Sequence, residues 1–82
     1  MEGLIEGRVV HYVIEDGRNK GEHRAAIVVK NLGQNNGCAN LTVFYDWTND
    51  GEGYGSGLAW ETSRLFDDTE KSPGTWHWPE RA

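Results

Sequence analysis

Two groups of side chains in this sequence have the chemistry to bind a ligand, one cationic and one aromatic. Arg18, His23 and Arg24 precede or begin a run of apolar residues, and an arginine fixed on a strand can hold a phosphate or carboxylate through paired hydrogen bonds. The aromatic group is formed by the tryptophans, with His77 between the last two of them: Trp47, Trp60, Trp76 and Trp78. An indole that stacks on a base contributes about 1–3 kcal/mol. The two groups together predict a site for a nucleotide-like small molecule, with Arg24 on the anion and His77 as a polar contact.

Both groups also have a purely structural interpretation. Large aromatic side chains fill a small core efficiently, and Arg24 can form an ion pair with the nearby Glu22. Trp76 and Trp78 are two positions apart, so in an extended segment both indoles project to the same side. The residue pattern leaves open which tryptophans line a site and which lie in the core.

Other kinds of chemistry find less support in the pattern. His11, His23 and His77 lie far apart in the sequence without metal-ligand spacing, and Cys38 is distant from each of them. Residues 51–57 are rich in glycine but lack the Lys-Ser/Thr ending of a phosphate-binding loop, which favours a flexible lid or a partner-contact loop. We therefore expect no metal, no cofactor and no catalytic residue, that is, a protein that is not an enzyme.

Length and charge restrict the partners. A single domain of 82 residues has a small core, and no intrachain disulfide is possible with one cysteine, so self-association into a homo-oligomer is expected to add buried surface. The net charge of −5 argues against binding duplex nucleic acid through a broad basic face. No apolar run approaches the roughly 18 residues of a membrane span, and no signal-peptide pattern opens the chain. We expect a cytoplasmic protein without a membrane partner.

The hydrophobic pattern predicts an all-β fold in one domain over residues 1–82. Residues 21–30 read as the central strand because five small or β-branched apolar residues follow one another there. Asn36-Gly37 predicts a hairpin turn, and the acidic segment 67–74 has room for one helical turn. The predicted strands cover residues 7–14, 21–30, 41–47, 58–63 and 75–78. These features predict a small five-stranded antiparallel SH3-like barrel, with an OB-like barrel as the alternative.

One part of the sequence resembles a known enzyme family. Gly7-Arg8-Val9-Val10 and Gly21 to Val29 resemble the first two strands of toxin endoribonucleases of the MazF/PemK kind, which are dimeric SH3-like barrels. The chain has Ala25 where those toxins usually have proline, and it lacks their C-terminal helices. The resemblance implies the barrel, and it makes a MazF-like ribonuclease the third functional alternative.

A second resemblance spans nearly the whole chain. The segments 7–13, 21–29, 40–44, 60–63 and 73–81, the last reading Pro-Gly-Thr-Trp-His-Trp-Pro-Glu-Arg, resemble a family of short, mostly uncharacterised proteins of tailed phages. Small phage proteins include oligomeric sponges that sequester nucleotide-derived immune signals of the bacterial host. The resemblance therefore implies a phage anti-defence protein that works in the host cytoplasm. The alternative is an adaptor or inhibitor that docks on a host or virion protein through the same aromatic residues.

Overall fold

The computed structural model describes residues 1–50 and 57–80, and all regular structure in them is β-strand. The strands, in chain order, are β1 (Val9–Val13), β2 (His23–Asn31), β3 (Ala39–Phe44), β4 (Leu58–Arg64) and β5 (Trp76–His77). The predicted all-β fold with five strands is confirmed. Within the described part of the chain, no helix has the length and apolar character needed to cross a bilayer.

The strands form one antiparallel sheet in the order β4-β3-β2-β1-β5. β2 lies in the middle, as its apolar run predicts. The sheet is barrel-like but open, because no pairing joins β4 to β5 in the described residues. Edge strand β5 consists of only Trp76 and His77. Its pairing with β1 places these two residues beside that strand.

The hairpin between β2 and β3 forms where Asn36-Gly37 predicts it. Gly37 has a φ of 74°, which a residue with a side chain rarely adopts. The Asn36 side chain closes the turn, because its Oδ1 accepts a hydrogen bond from the Cys38 backbone N–H at 3.1 Å. Trp76 then fixes the turn against the sheet, since its Nε1 donates to the Gly37 carbonyl at 2.9 Å.

The inner face of the sheet forms the core. Every second side chain of β1, β2 and β3 points inward. Together with Trp76, these side chains are almost completely buried: Val10, Tyr12, Ala26, Val28, Leu41 and Val43. Trp78 packs against this core from the edge, with its ring 5.0 Å from that of Trp76 in a T-shaped contact. The prediction that the two indoles share one side is confirmed.

The predicted orientation of β4 is wrong. The alternation of residues 58–63 predicts that Leu58, Trp60 and Thr62 face inward, but Leu58 and Trp60 are 51% and 63% exposed. The reason is register: the inward residues of β3, Leu41 and Val43, pair with Glu61 and Ala59, so these two residues take the inner positions. Glu61 is tolerated there because it accepts hydrogen bonds from the Tyr45 hydroxyl at 3.0 Å and from Arg64 at 2.7 Å.

Two predicted loops have different outcomes. The acidic segment 67–74 holds no helical turn; instead the Asp67 carboxylate accepts the backbone N–H groups of Glu70 and Ser72 at 3.0 and 3.2 Å. The glycine-rich segment 51–57, proposed as a lid or partner-contact loop, lies outside the described residues except for Gly57.

Candidate metal centre

The register of three neighbouring strands brings the histidines together. His11 on β1 is the cross-strand partner of His77 on β5, and His23 on β2 is the partner of Val13, two positions after His11. Cross-strand partners and residues two positions apart project from the same face of a sheet. All three imidazoles therefore lie on the outer face, with ring centroids 4.7 to 6.4 Å apart.

The nitrogens of these rings converge on one atom. Glu80 Oε1 lies 2.9 Å from His11 Nδ1, 2.9 Å from His23 Nδ1 and 2.8 Å from His77 Nε2. The ligand atoms of the four residues all lie within 4.8 Å of one another. Because a carboxylate oxygen only accepts hydrogen bonds, each of the three nitrogens carries a proton in this arrangement.

The four side chains of the cluster differ in how far they are buried. His77 is completely buried, whereas the side chains of His11 and His23 are about 30% exposed and that of Glu80 is 43% exposed. The pKa of the Glu80 carboxyl lies well below its usual range because His11, His77 and His23 all hydrogen-bond to it. The carboxylate is thus held ionised at the centre of the cluster, facing solvent.

Imidazole nitrogen and carboxylate oxygen are the donor set of a zinc-type ion. Zinc–nitrogen distances are about 2.0–2.1 Å, and the nitrogens stand 2.8–2.9 Å from the central oxygen. Each nitrogen therefore has to move inward by only about 0.8 Å to hold an ion where Oε1 now lies.

One feature of His77 opposes metal binding, and its cost is modest. A nitrogen that binds metal cannot keep its proton, so the proton of the His77 ring has to lie on Nδ1, which is buried and has no hydrogen-bond partner among residues 1–50 and 57–80. An unpaired buried donor costs about 1–3 kcal/mol. Zinc-finger peptides bind their ion with about 10–16 kcal/mol, so a penalty of this size does not by itself exclude metal binding.

The expectation that the histidines lie too far apart for a metal site is wrong as a statement of geometry. It relied on distance along the sequence, whereas ligands on antiparallel strands are brought together by register. A signal was present: in a hairpin that pairs residue 11 with residue 25, residue 23 falls beside residue 13 on the same face. His77 could not have been placed, because β5 returns to β1 from the other end of the chain.

Arg24 occupies a different position from the one predicted. Its Nε and Nη2 donate to the two carboxylate oxygens of Asp50, with Nε 2.9 Å from Oδ2. Nη1 donates to the His23 carbonyl at 2.9 Å, and Nη2 also contacts Glu22 at 3.1 Å. The alternative of an Arg24–Glu22 ion pair is confirmed, and the prediction of Arg24 as a fork for an external anion is corrected, because Asp50 already fills the fork.

Asp50 is the internal anion of this pair. It is 4% exposed, and the hydrogen bonds from Arg24 lower its pKa to about 2. Asn19 Nδ2 and the Asp46 backbone N–H also donate to its carboxylate, at 2.8 and 2.6 Å. Arg18 supports the same loop from outside by donating to the carbonyls of Asn49 and Thr48. Arg18 and Arg24 thus hold residues 48–50, while His23 belongs to the histidine cluster.

A pocket of about 470 Å³ lies beside this ion pair and is lined by Asn19, Glu22, Arg24, Phe44, Asp46 and Asn49, among others. Its two carboxylates, Glu22 and Asp46, repel a phosphate, while its arginine is neutralised by Asp50. The pocket therefore does not supply the anion site that the sequence predicts.

The tryptophans divide between core and surface. Trp76 is completely buried and Trp78 is packed on the core, so the prediction that Trp76 stacks a ligand is corrected, and His77 contacts Glu80 instead. Trp47 and Trp60 are 68% and 63% exposed and remain available for stacking. Capture of a nucleotide-derived signal, and the alternative of docking on a protein, stay predictions that these two side chains support.

Fold and site together define a small all-β protein that carries three histidines and a glutamate around one point on the outer face of its sheet. No protein-family model, curated protein or solved structure matches the chain.

Proposed function

We propose that this protein binds a divalent transition-metal ion, with Zn²⁺ as the best fit, through His11, His23 and His77, with Glu80 as the neighbouring carboxylate. The observation that carries the proposal is the convergence of three ring nitrogens, at 2.8–2.9 Å, on the single atom Glu80 Oε1. Ring nitrogens fixed on three paired strands define a preformed coordination point.

The donor set selects the kind of metal. Mg²⁺ and Ca²⁺ prefer oxygen ligands, of which this cluster offers one carboxylate. Imidazoles suit Zn²⁺, Cu²⁺, Ni²⁺ and Fe²⁺, and a set of three nitrogens and one oxygen fits the tetrahedral preference of zinc. The protein is therefore expected to bind Zn²⁺ and Co²⁺ and not to bind Mg²⁺.

Calorimetric titration of the metal-free protein with ZnCl₂ tests this function. We expect one ion per chain and a dissociation constant of about 1 μM or below, with MgCl₂ giving no heat. The Cys38→Ser variant is the control, because the buried thiol is the other zinc-ligand type in the chain, and its titration should match that of the unmodified protein. Absence of zinc binding at neutral pH would overturn the proposal.

A further inference from the structure

The three histidines and the glutamate differ in how firmly the fold holds them. His11, His23 and His77 lie on paired strands β1, β2 and β5. Glu80 lies on no strand, follows Pro79, and is the most exposed member of the cluster at 43%. Three ligands are thus fixed by the sheet, while the fourth is held by its own side-chain contacts.

The position of Glu80 matters because its Oε1 now occupies the centre of the cluster. An ion that binds the three nitrogens at about 2.0–2.1 Å has to take that place, so the carboxylate must withdraw toward solvent. The buried His77 closes one side of the cluster. Among the described residues, the most exposed member is Glu80, and the place that its carboxylate vacates is open to a ligand from solvent.

The outer surface next to His11 is apolar. Val9 and Ala25 are exposed and Ile27 is half-buried. Ala25 is the cross-strand partner of His11, and Ile27 is the partner of Val9, two positions before His11. The three side chains thus form a patch on the outer face directly next to His11, which we call the apolar patch.

Charge decides what would replace Glu80. Three neutral imidazoles leave the double positive charge of the ion unchanged, and the carboxylate of Glu80 compensates half of it. An external anion supplies the same compensation, and an apolar group attached to it gains by covering the apolar patch. Phosphate and other small inorganic anions gain nothing from that patch.

We propose, on the basis of the proposed metal function, that the bound metal has an exchangeable fourth position at which a small organic carboxylate with an apolar body replaces Glu80. The carboxylate binds the ion, and the apolar body lies on Val9, Ala25 and Ile27. Glu80 then acts as an internal competitor for this ligand.

Co²⁺-loaded protein tests the proposal, because its visible absorption reports changes in the ligands of the ion. Titration with sodium benzoate should change the spectrum at concentrations at least about fivefold lower than sodium acetate, the difference expected for about 40 Å² of covered apolar surface. Glu80→Ala should still bind Co²⁺ and should bind both carboxylates about tenfold more tightly, because the internal competitor is gone. Val9→Ser should weaken benzoate and leave acetate unchanged.

The outcomes separate this proposal from the metal function itself. If Co²⁺ gives no ligand-field spectrum with the protein, the metal function fails. If Co²⁺ binds but neither carboxylate changes the spectrum of the unmodified protein or of Glu80→Ala, the fourth position is closed and the exchange proposal is overturned. Equal affinity for acetate and benzoate, unchanged in Val9→Ser, would exclude the apolar patch as part of the site.

Discussion

His11 and His77 face each other across β1 and β5, with their ring centroids 5.7 Å apart in an edge-on contact. They come from opposite ends of the sequence, and they meet because Trp76, the neighbour of His77, is anchored in the core. Successive side chains of a strand point to opposite faces. Because Trp76 points into the core, His77 points to the outer face, where it meets His11. The candidate metal centre therefore depends on the packing of the core beneath it.

His23→Ala should weaken zinc binding by about 100-fold or more, because removing one of three nitrogen ligands costs at least as much as the loss of an outer contact to such a ligand. The dissociation constant is measured by competition with a chromogenic chelator. Arg18→Ala, which removes a neighbouring cation outside the cluster, is the matched control and should bind zinc normally. Equal affinities of the His23→Ala variant and the unmodified protein would remove His23 from the site.

Asp50→Asn should destabilise the fold by about 3 kcal/mol, because it leaves the guanidinium of Arg24 without its buried counter-ion. Urea unfolding followed by tryptophan fluorescence measures the free energy of unfolding. Asp68→Asn is the control: this exposed aspartate should change that energy by less than about 0.5 kcal/mol. A similar small change in both variants would show that the Arg24–Asp50 pair contributes little.

The Arg24–Asp50 ion pair also predicts how the free energy of unfolding depends on pH. The pKa of Asp50 is about 2 in the folded protein and 3.8 in the reference state, so the folded state favours the ionised form. Its contribution is complete above about pH 4 and is lost as the pH falls toward 2. Denaturation curves at pH 5, 4, 3 and 2 should show a falling free energy of unfolding. The decline should be shallower in Asp50→Asn, and parallel declines would contradict this assignment.

Gly37→Ala should destabilise the protein by about 2 kcal/mol or more through overpacking and strain at positive φ. An added Cβ would lie 2.7 Å from the Phe66 Cβ and 2.9 Å from the Met1 Cε. Gly33→Ala is a closely matched control, since its φ of 75° is nearly the same but no atom lies within 4 Å of the added Cβ. Thermal unfolding should show a distinctly larger loss for Gly37→Ala; equal losses would mean that the contacts with Phe66 and Met1 relax freely.

Trp76→Phe should cost about 2–4 kcal/mol, because it opens a cavity in the core and removes the hydrogen bond to the Gly37 carbonyl. Trp60→Phe, at a position that is 63% exposed, should change the stability by less than about 0.5 kcal/mol. Chemical denaturation of the two variants compares them. Reversed magnitudes would contradict the division of tryptophans into core and surface.

The sequence predicts the strands well and the site poorly, for physical reasons that particular residues illustrate. The run from Ala25 to Val29 and the Asn36-Gly37 turn are local signals, and the structure confirms the central strand and the hairpin that they predict. The inward face of β4 was mispredicted because Leu58 and Trp60 are more apolar than Ala59 and Glu61, yet register with β3 decides the orientation. The hydrophobicity of the β4 residues alone does not determine how this strand pairs with β3.

The sites required information that no local pattern holds. Arg24 could be seen as a potential anion site, but Asp50 reaches it only after residues 46–50 have folded into a turn, in which the Asp46 carbonyl accepts the Asp50 backbone N–H at 2.8 Å. Glu80 follows His77 by three residues, so this one contact is local, whereas His11 and His23 are brought to Glu80 by the pairing of β1, β2 and β5. Glu80 acquires its importance from three histidines that the sheet places around it.

Zinc-edge X-ray absorption of the zinc-loaded protein counts the ligands around the ion and is the sharpest test of the proposed metal centre. We expect three imidazole nitrogens at about 2.0–2.1 Å from the ion and one further oxygen at about 2.0–2.2 Å. A first coordination shell with fewer than three imidazoles would contradict the proposed metal centre. A Cys38 sulfur at about 2.3 Å from the ion would contradict it as well.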